Sequence, residues 1–319
     1  MPVHAFIFPG QGSQAPGMGR DLAAAFAAAR EVFQEVDDTL GEKLSAVMFE
    51  GPPETLTLTE NAQPALMAHS LAVLRVLEHE GGFKLADRAV VVAGHSLGEY
   101  SALAAAGAFG IAQAARLLKL RGQAMQKAVP PGAGSMAALL GAEMALALEI
   151  CAAAAAAPNG DIEVIEAGND NGGGQVVISG ATAAIERAIV IAQAKGVRRA
   201  MKLPVSAPFH CAMMAPAADA MAEALRASPP RSPIVPVIAN VSAAKATDPT
   251  EIIDLLVRQV TATVRWRECM LTMAGLGVDS FIELGSGKVL SGLVKRIAPE
   301  ASGANAGTPA EIEALLKLL

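Results

Sequence analysis

AVVVAGHSLGEYSAL (89–103) decides the fold: an apolar, β-branched run ends at Gly94, and a helical run begins within a few residues of it. A buried strand that turns sharply into a helix is the unit of a parallel α/β sheet. At the corner, Gly94 to Gly98 fits G-x-S-x-G, in which a serine sits in a strained turn and the glycines let strand and helix approach closely. Such a serine lies at a helix N-terminus, where free N–H groups and the dipole favour developing negative charge. The N–H of Leu97 is then the natural first donor to an oxyanion. An ordinary turn with a capping serine would use the same residues, so Ser96 is a nucleophile only if the chain also supplies a base.

Outward from this corner, HAFIF (4–8) reads as a first strand, and residues 18–38, 60–80, 96–107 and 111–128 read as helices. Pro64 is tolerable in an early helical turn. Between Pro130 and Pro204 the texture changes. SMAALLG (135–141) looks like a strand and is followed by an Ala-rich helix to about Ala157. IEVIEAG (162–168) and QVVISG (175–180) flank NDNGG, a hairpin signal. A helix (181–195) and RRAMKL (198–203) complete β-α-β-β-α-β, a ferredoxin-like order. Strands at 234–240 and 279–284 resume the α/β pattern, and ASGANAG (301–307) reads as a weak link to a final helix at 309–318. The expected domains are therefore 1–130 with 205–319, and 131–204.

Apolar residues make up 52% of the 319 and aromatic residues only 3%, so the core is built from Ala, Leu, Val and Ile. A net charge of −6 and a pI near 5.5 argue against nucleic acid as the main partner. Cys151, Cys211 and Cys269 are odd in number and widely spaced, which suits reduced thiols in a cytoplasmic protein better than disulfides. MPVHAFIFPG has no basic segment and reaches Pro9 and Gly10 almost at once, so no signal peptide is expected there. Mean hydropathy is +0.39, yet the apolar stretches break before the roughly 20 residues that span a membrane, so a soluble protein is expected.

Of the five histidines, only His210 follows Ser96. His95 adjoins the serine but should point the other way. His210 lies in LPVSAPFHCAMM, where Pro204 and Pro208 force a fixed, extended loop suited to presenting an imidazole. An α/β-hydrolase would place an acid between serine and histidine, with the histidine near the C-terminus. Here a backbone carbonyl could orient the base instead. On helix 111–128, Ala114, Leu117, Leu118, Arg121 and Met125 share one side. An arginine in an apolar stripe needs an anion, either a substrate carboxylate or an internal acid. FPGQGSQAPG (8–17) satisfies G-x-G-x-x-[GA], but Pro16 and Gly17 interrupt the helix a dinucleotide site requires.

PGQGSQ, TENAQPAL (59–66), GHSLGEYSAL, LRGQAMQ (120–126), PVSAPFH and ELGSGKVLSGLVKR (283–296) together, in order and spacing over about residues 3–298, resemble the malonyl-CoA:acyl carrier protein transacylases. The resemblance implies a hydrolase-like α/β core with a mostly parallel sheet, an inserted ferredoxin-like α+β subdomain and a gorge between them. It implies ping-pong malonyl transfer to a phosphopantetheine thiol, supplying fatty acid biosynthesis. Ser96 matches the nucleophile and His210 the base. Gln11 and Leu97 match the oxyanion hole, Arg121 the carboxylate clamp, and Gln259 the residue whose main-chain carbonyl orients the histidine. Phe209, Asn169 and Gln63 match pocket residues, with Phe209 crowding an α-methyl branch. Malonyl-CoA and acyl carrier protein are the implied partners, with no cofactor, no metal and a monomeric enzyme. An acidic carrier would dock on cations such as Lys288, Lys295 and Arg296, with Arg198 and Arg199. Where many members read N-x-N-S-P-G-Q, this chain has NDNGGGQ (169–175), which should loosen the gorge rim. A serine esterase or thioesterase would share the elbow without gaining from Arg121. An acyltransferase for a different acyl group would share both the elbow and the fold, and a non-enzymatic binding subunit would keep the fold without the chemistry.

Overall fold

The computed structural model describes residues 2–205 and 207–319, so Ser206 of the PVSAPFH loop lies outside the described residues. In chain order the strands are β1 (His4–Phe8), β2 (Ala89–Gly94), β3 (Gly134–Leu140), β4 (Ile165–Gly172) and β5 (Gln175–Ala181). Then come β6 (Arg199–Lys202), β7 (Val237–Ile238), β8 (Lys245–Ala246), β9 (Ser280–Leu284) and β10 (Ser302–Ala306). One sheet has the order β10-β9-β1-β2-β7-β8, parallel except for β8. The second, β4-β5-β3-β6, is antiparallel throughout.

Helices cover both faces of the parallel sheet, and the residues of β1 show why. Phe6 and Phe8 join the core under helices Thr59–Gly81 and Ile111–Lys127, whereas Ala5 and Ile7 join a separate core with Trp266 and Met270. Successive strand side chains point to opposite faces, so a strand buried on both sides must be apolar at every position. The antiparallel sheet has its own core, where Leu139 and Ile178 meet Ile150 and Ile185 of helices Met144–Ala154 and Thr182–Ala194.

Several boundaries differ from the sequence reading. Segment 302–306 is an edge strand paired with β9, and its small residues let it lie close to helix Ser291–Ile297: a Cβ on Gly303 would stand 3.0 Å from the Ser291 oxygen. The strand expected at 234–240 shrinks to β7, since Pro233 and Pro236 have no N–H to donate. The helix expected over 18–38 breaks at Phe26, whose φ of −125° and ψ of 128° are extended. β4 runs on through Asn169, Asp170 and Asn171, and the reversal falls at Gly172, Gly173 and Gly174, all at positive φ.

β4 also ties its sheet to the segment that precedes helix Trp266–Gly275. Beyond pairing with β5, its Asp170 N–H donates to the Val264 carbonyl and its Gly168 carbonyl accepts from Val264 N–H, both at 2.9 Å. The Asp170 carboxylate takes Arg267 Nε at 2.9 Å and the Gly172 N–H at 3.2 Å. The segment expected to loosen the rim is thus pinned at its acidic residue.

Candidate active site

The turn after β2 works only with two glycines. A Cβ on Gly94 would lie 1.8 Å from the Gly98 oxygen, and one on Gly98 would lie 2.3 Å from the Phe8 oxygen. Strand, turn and neighbouring β1 therefore close to main-chain contact. Ser96, between them, has φ 54°, a left-handed conformation costly for a residue with a Cβ. Its N–H donates to Asn240 Oδ1 at 2.8 Å, and helix Gly98–Ala105 begins two residues later.

His210 is also held in the left-handed region, at φ 62°. Its Nδ1 lies 2.7 Å from the Gln259 main-chain oxygen and its Nε2 lies 2.8 Å from Ser96 Oγ. A carbonyl only accepts, so Nδ1 carries the proton and Nε2 offers a lone pair to the serine hydroxyl. Burial, and then the charge of Arg121, lower the His210 pKa to about 3, so the ring is neutral near pH 7.

Arg121 is 1% exposed, and the apolar stripe around it is buried as its spacing predicts. Nη1 donates to Gln63 Oε1 at 2.9 Å, and Nη2 donates to Gln259 Oε1 at 2.9 Å and to Ser96 Oγ at 3.2 Å. No carboxylate forms an ion pair with it among the described residues, so its partners are neutral oxygens. No internal acid therefore touches it directly.

These groups face a cavity of about 520 Å³ that also meets Gln11, Gln63, Asn169 and Phe209. Gln11 sits on the loop after β1, its side chain donating to Thr59 Oγ1 at 3.3 Å. Leu97 buries its side chain in the core. The main-chain N–H groups of Gln11 and Leu97 meet no acceptor among the described residues. Gln259 lies behind Arg121 and His210, fully buried. The cationic candidates are dispersed. Lys288 lines a different cavity of about 340 Å³, Lys295 donates to the Pro299 oxygen, and the stem of Arg296 lies beside Gly173.

Four residues escaped the sequence reading. His95 does not turn away: it lines the same cavity, with Nε2 2.8 Å from Asn171 Oδ1 and 3.4 Å from Asn169 Nδ2. Asn171 entered only as part of a turn. Asn240, wholly buried, accepts from Ser96 N–H and donates Nδ2 to the Gly94 oxygen at 2.8 Å. Its position just beyond a parallel strand, where ligands gather in open α/β sheets, was the available signal. Glu99, in the first turn of helix Gly98–Ala105, has no role in the sequence reading, yet it is 2% exposed and accepts from Asn240 N–H and Gln259 Nε2. Burial raises its pKa to about 7.

A serine, a neutral imidazole and a caged guanidinium around one cavity suit acyl transfer with a charged acyl group. An acyl transferase domain model matches residues 5–308. Malonyl CoA-acyl carrier protein transacylase of Escherichia coli is 43% identical, covering the whole of both chains. That of Bacillus subtilis is 42% identical over 99% of this chain and 96% of its own. Among solved structures, an acyl-carrier-protein-S-malonyltransferase from Bartonella henselae superposes with a TM-score of 0.95 at 53% identity, over 99% of each chain. A malonyl-transacylase in complex with its type II PKS acyl carrier protein superposes at 0.94 and 41% identity, over 99% of this chain and all of that one. With this likeness running the full length of the chain, it belongs to the malonyl CoA-acyl carrier protein transacylase family.

Proposed function

We propose that this chain transfers a malonyl group from malonyl-CoA to the phosphopantetheine thiol of acyl carrier protein, through a malonyl ester on Ser96, in fatty acid synthesis. One observation carries the reading of the site: Ser96 Oγ is within hydrogen-bond reach of both a neutral imidazole and a buried guanidinium.

Ser96 Oγ attacks the thioester carbonyl as His210 Nε2 takes its proton. The N–H groups of Gln11 and Leu97 receive the oxyanion, and Arg121 receives the malonyl carboxylate. Collapse expels the coenzyme A thiolate, which takes the proton back from His210. The carrier's thiol then gives its proton to His210 and attacks the ester, and the departing Ser96 oxygen is reprotonated by the same nitrogen. Every proton passes through Nε2, and no metal or cofactor enters. The Gln259 carbonyl stands where an acid would stand in a triad, holding Nδ1–H while adding no second charge. Gln63, Asn169 and Phe209 line the cavity, and on this reading Phe209 crowds an α-methyl branch of the acyl group. The carrier docks at the mouth, near exposed Val289, which lines the cavity; Lys288, Lys295, Arg296 and the two arginines of 198–199 all lie outside the cavity lining. Residues 131–204 act as a unit inserted in the 1–130 and 205–319 core, and the enzyme works as a monomer in the cytoplasm.

Intact-mass analysis after mixing with malonyl-CoA tests this. A malonyl adduct is expected that persists in buffer, discharges on adding holo-carrier protein and is absent from Ser96→Ala. Discharge by water alone would make the protein a hydrolase, and labelling of Ser96→Ala would remove the nucleophile assignment.

A further inference from the structure

The buried carboxylate of Glu99 touches no cation, yet it stands one amide away from Arg121. Its Oε2 accepts from Gln259 Nε2 at 2.8 Å and from the Asn240 N–H at 2.9 Å, and it forms no ion pair among the described residues. It does not line the catalytic cavity.

Gln259 has two unlike ends, and its nitrogen end meets only acceptors: Glu99 Oε2 at 2.8 Å, the Ser96 main-chain oxygen at 3.1 Å and Asn240 Oδ1 at 3.2 Å, of which the carboxylate is the nearest. An ionised carboxylate only accepts, so the amide nitrogen must point to it. The amide oxygen then points to Arg121 Nη2, 2.9 Å away. In the reverse sense, oxygen would meet carboxylate and the NH₂ would meet guanidinium, placing acceptor on acceptor and donor on donor. The second contact to Oε2, from a main-chain N–H that cannot rotate away, fixes the carboxylate itself.

The distance matters as much as the sense. An acid directly on Arg121 would balance its charge but occupy the edge that a substrate carboxylate needs. Moved one amide back, the acid holds the amide that holds the cation and leaves the cation's own edge to the substrate. The guanidinium edge meanwhile stays on neutral oxygens that an incoming carboxylate can displace.

We infer that Glu99 is a positioning residue for acyl selection: through the Gln259 side chain it fixes the Arg121 guanidinium. Preference for a carboxylated acyl group then depends on a residue that never touches substrate. This rests on Arg121 receiving the malonyl carboxylate.

The test is the ratio of kcat/KM for malonyl-CoA to that for acetyl-CoA, with thermal unfolding measured alongside. In Glu99→Ala the ratio falls about tenfold or more, mainly through KM for malonyl-CoA. Glu99→Asp does the same, since losing one methylene withdraws the carboxylate from Gln259 while keeping its charge, and it carries the test should the alanine variant not fold. Glu99→Gln stays within a few-fold of wild type, because its amide oxygen can still accept from both partners. A folded Glu99→Ala or Glu99→Asp in which both substrates slow equally, with the ratio unchanged, assigns Glu99 a structural role only and overturns the inference. Arg121→Ala runs in parallel. If it too leaves the ratio unchanged, the clamp reading fails; if it alone collapses the ratio, only the Glu99 inference fails.

Discussion

Arg121 Nη2 donates to Ser96 Oγ across 3.2 Å, so cation and nucleophile are in contact before any acyl group arrives. Acylation must break that contact, and a carboxylate carried on the same oxygen is the group best able to take up the released N–H. Arg121→Ala should therefore lower malonyl transfer by about a hundredfold or more and raise transfer of an uncharged acyl group such as acetyl. Rates of transfer to the carrier protein from the two thioesters check this; unchanged malonyl transfer would remove Arg121 from the acyl pocket.

The same proximity sets the pH profile. Burial and then the Arg121 charge disfavour the imidazolium form of His210, holding its pKa down at about 3. A malonyl carboxylate on Arg121 cancels the second cause, so His210 accepts a proton more readily in that complex. The acid limb of kcat should lie at higher pH with malonyl-CoA than with acetyl-CoA. In Arg121→Ala the acid limb of kcat/KM for acetyl-CoA should also rise, because the depressing charge is gone from the free enzyme. Initial rates from pH 8 down to the lowest pH at which the protein stays folded read the direction of both shifts, and coincident profiles would show that Arg121 does not act on the base.

Gly98→Ala should be costly although alanine is the better helix former. Its Cβ would stand 2.3 Å from the Phe8 oxygen, main chain that has nowhere to retreat inside the sheet. Melting should fall by roughly 5 °C or more, and malonyl labelling of Ser96 should fall with it as the elbow is pushed off β1. Scanning calorimetry with intact mass measures the pair of effects.

Acid should destabilise the protein through buried neutral imidazoles. His69 donates to the Gly307 oxygen, and burial holds its pKa near 4; His210 is held near 3. Between those values and 6.5 the unfolded chain binds protons that the folded chain refuses, so stability rises with pH across that window and is lost as pH falls through it. Each histidine contributes on the order of 2–3 kcal/mol by pH 4. Glu99, with its folded pKa raised to about 7, opposes this in part, since the folded state binds its proton first. Urea titrations at pH 7 and pH 4 should show the loss, and His69→Gln, which keeps an amide N–H for Gly307, should weaken it.

What was legible in the sequence was whatever one element could encode. The corner at Gly94–Gly98, the fixed loop of His210 and the buried stripe bearing Arg121 are local patterns, and the structure places all three around one cavity. Asn240 and Glu99 were invisible because their meaning lies in partners far along the chain: Asn240 is bonded to Ser96, and Glu99 to Gln259. His95 misled because alternation along a strand was carried one residue too far, into a turn where Ser96 has φ 54° and the alternation no longer holds. Segment 302–306 misled because small residues, which weaken a strand taken alone, are what an edge strand under a helix requires.

Strand β4 is stitched along one side to β5 and along the other to Val264. The antiparallel sheet is therefore tethered at its β4 edge, while β6, at the opposite edge, pairs only with β3. The open edge of this sheet is β6, and its fixed edge is β4. Asn169 and Asn171 lie on the fixed edge, so the wall facing His95 is the part of this sheet held from both sides.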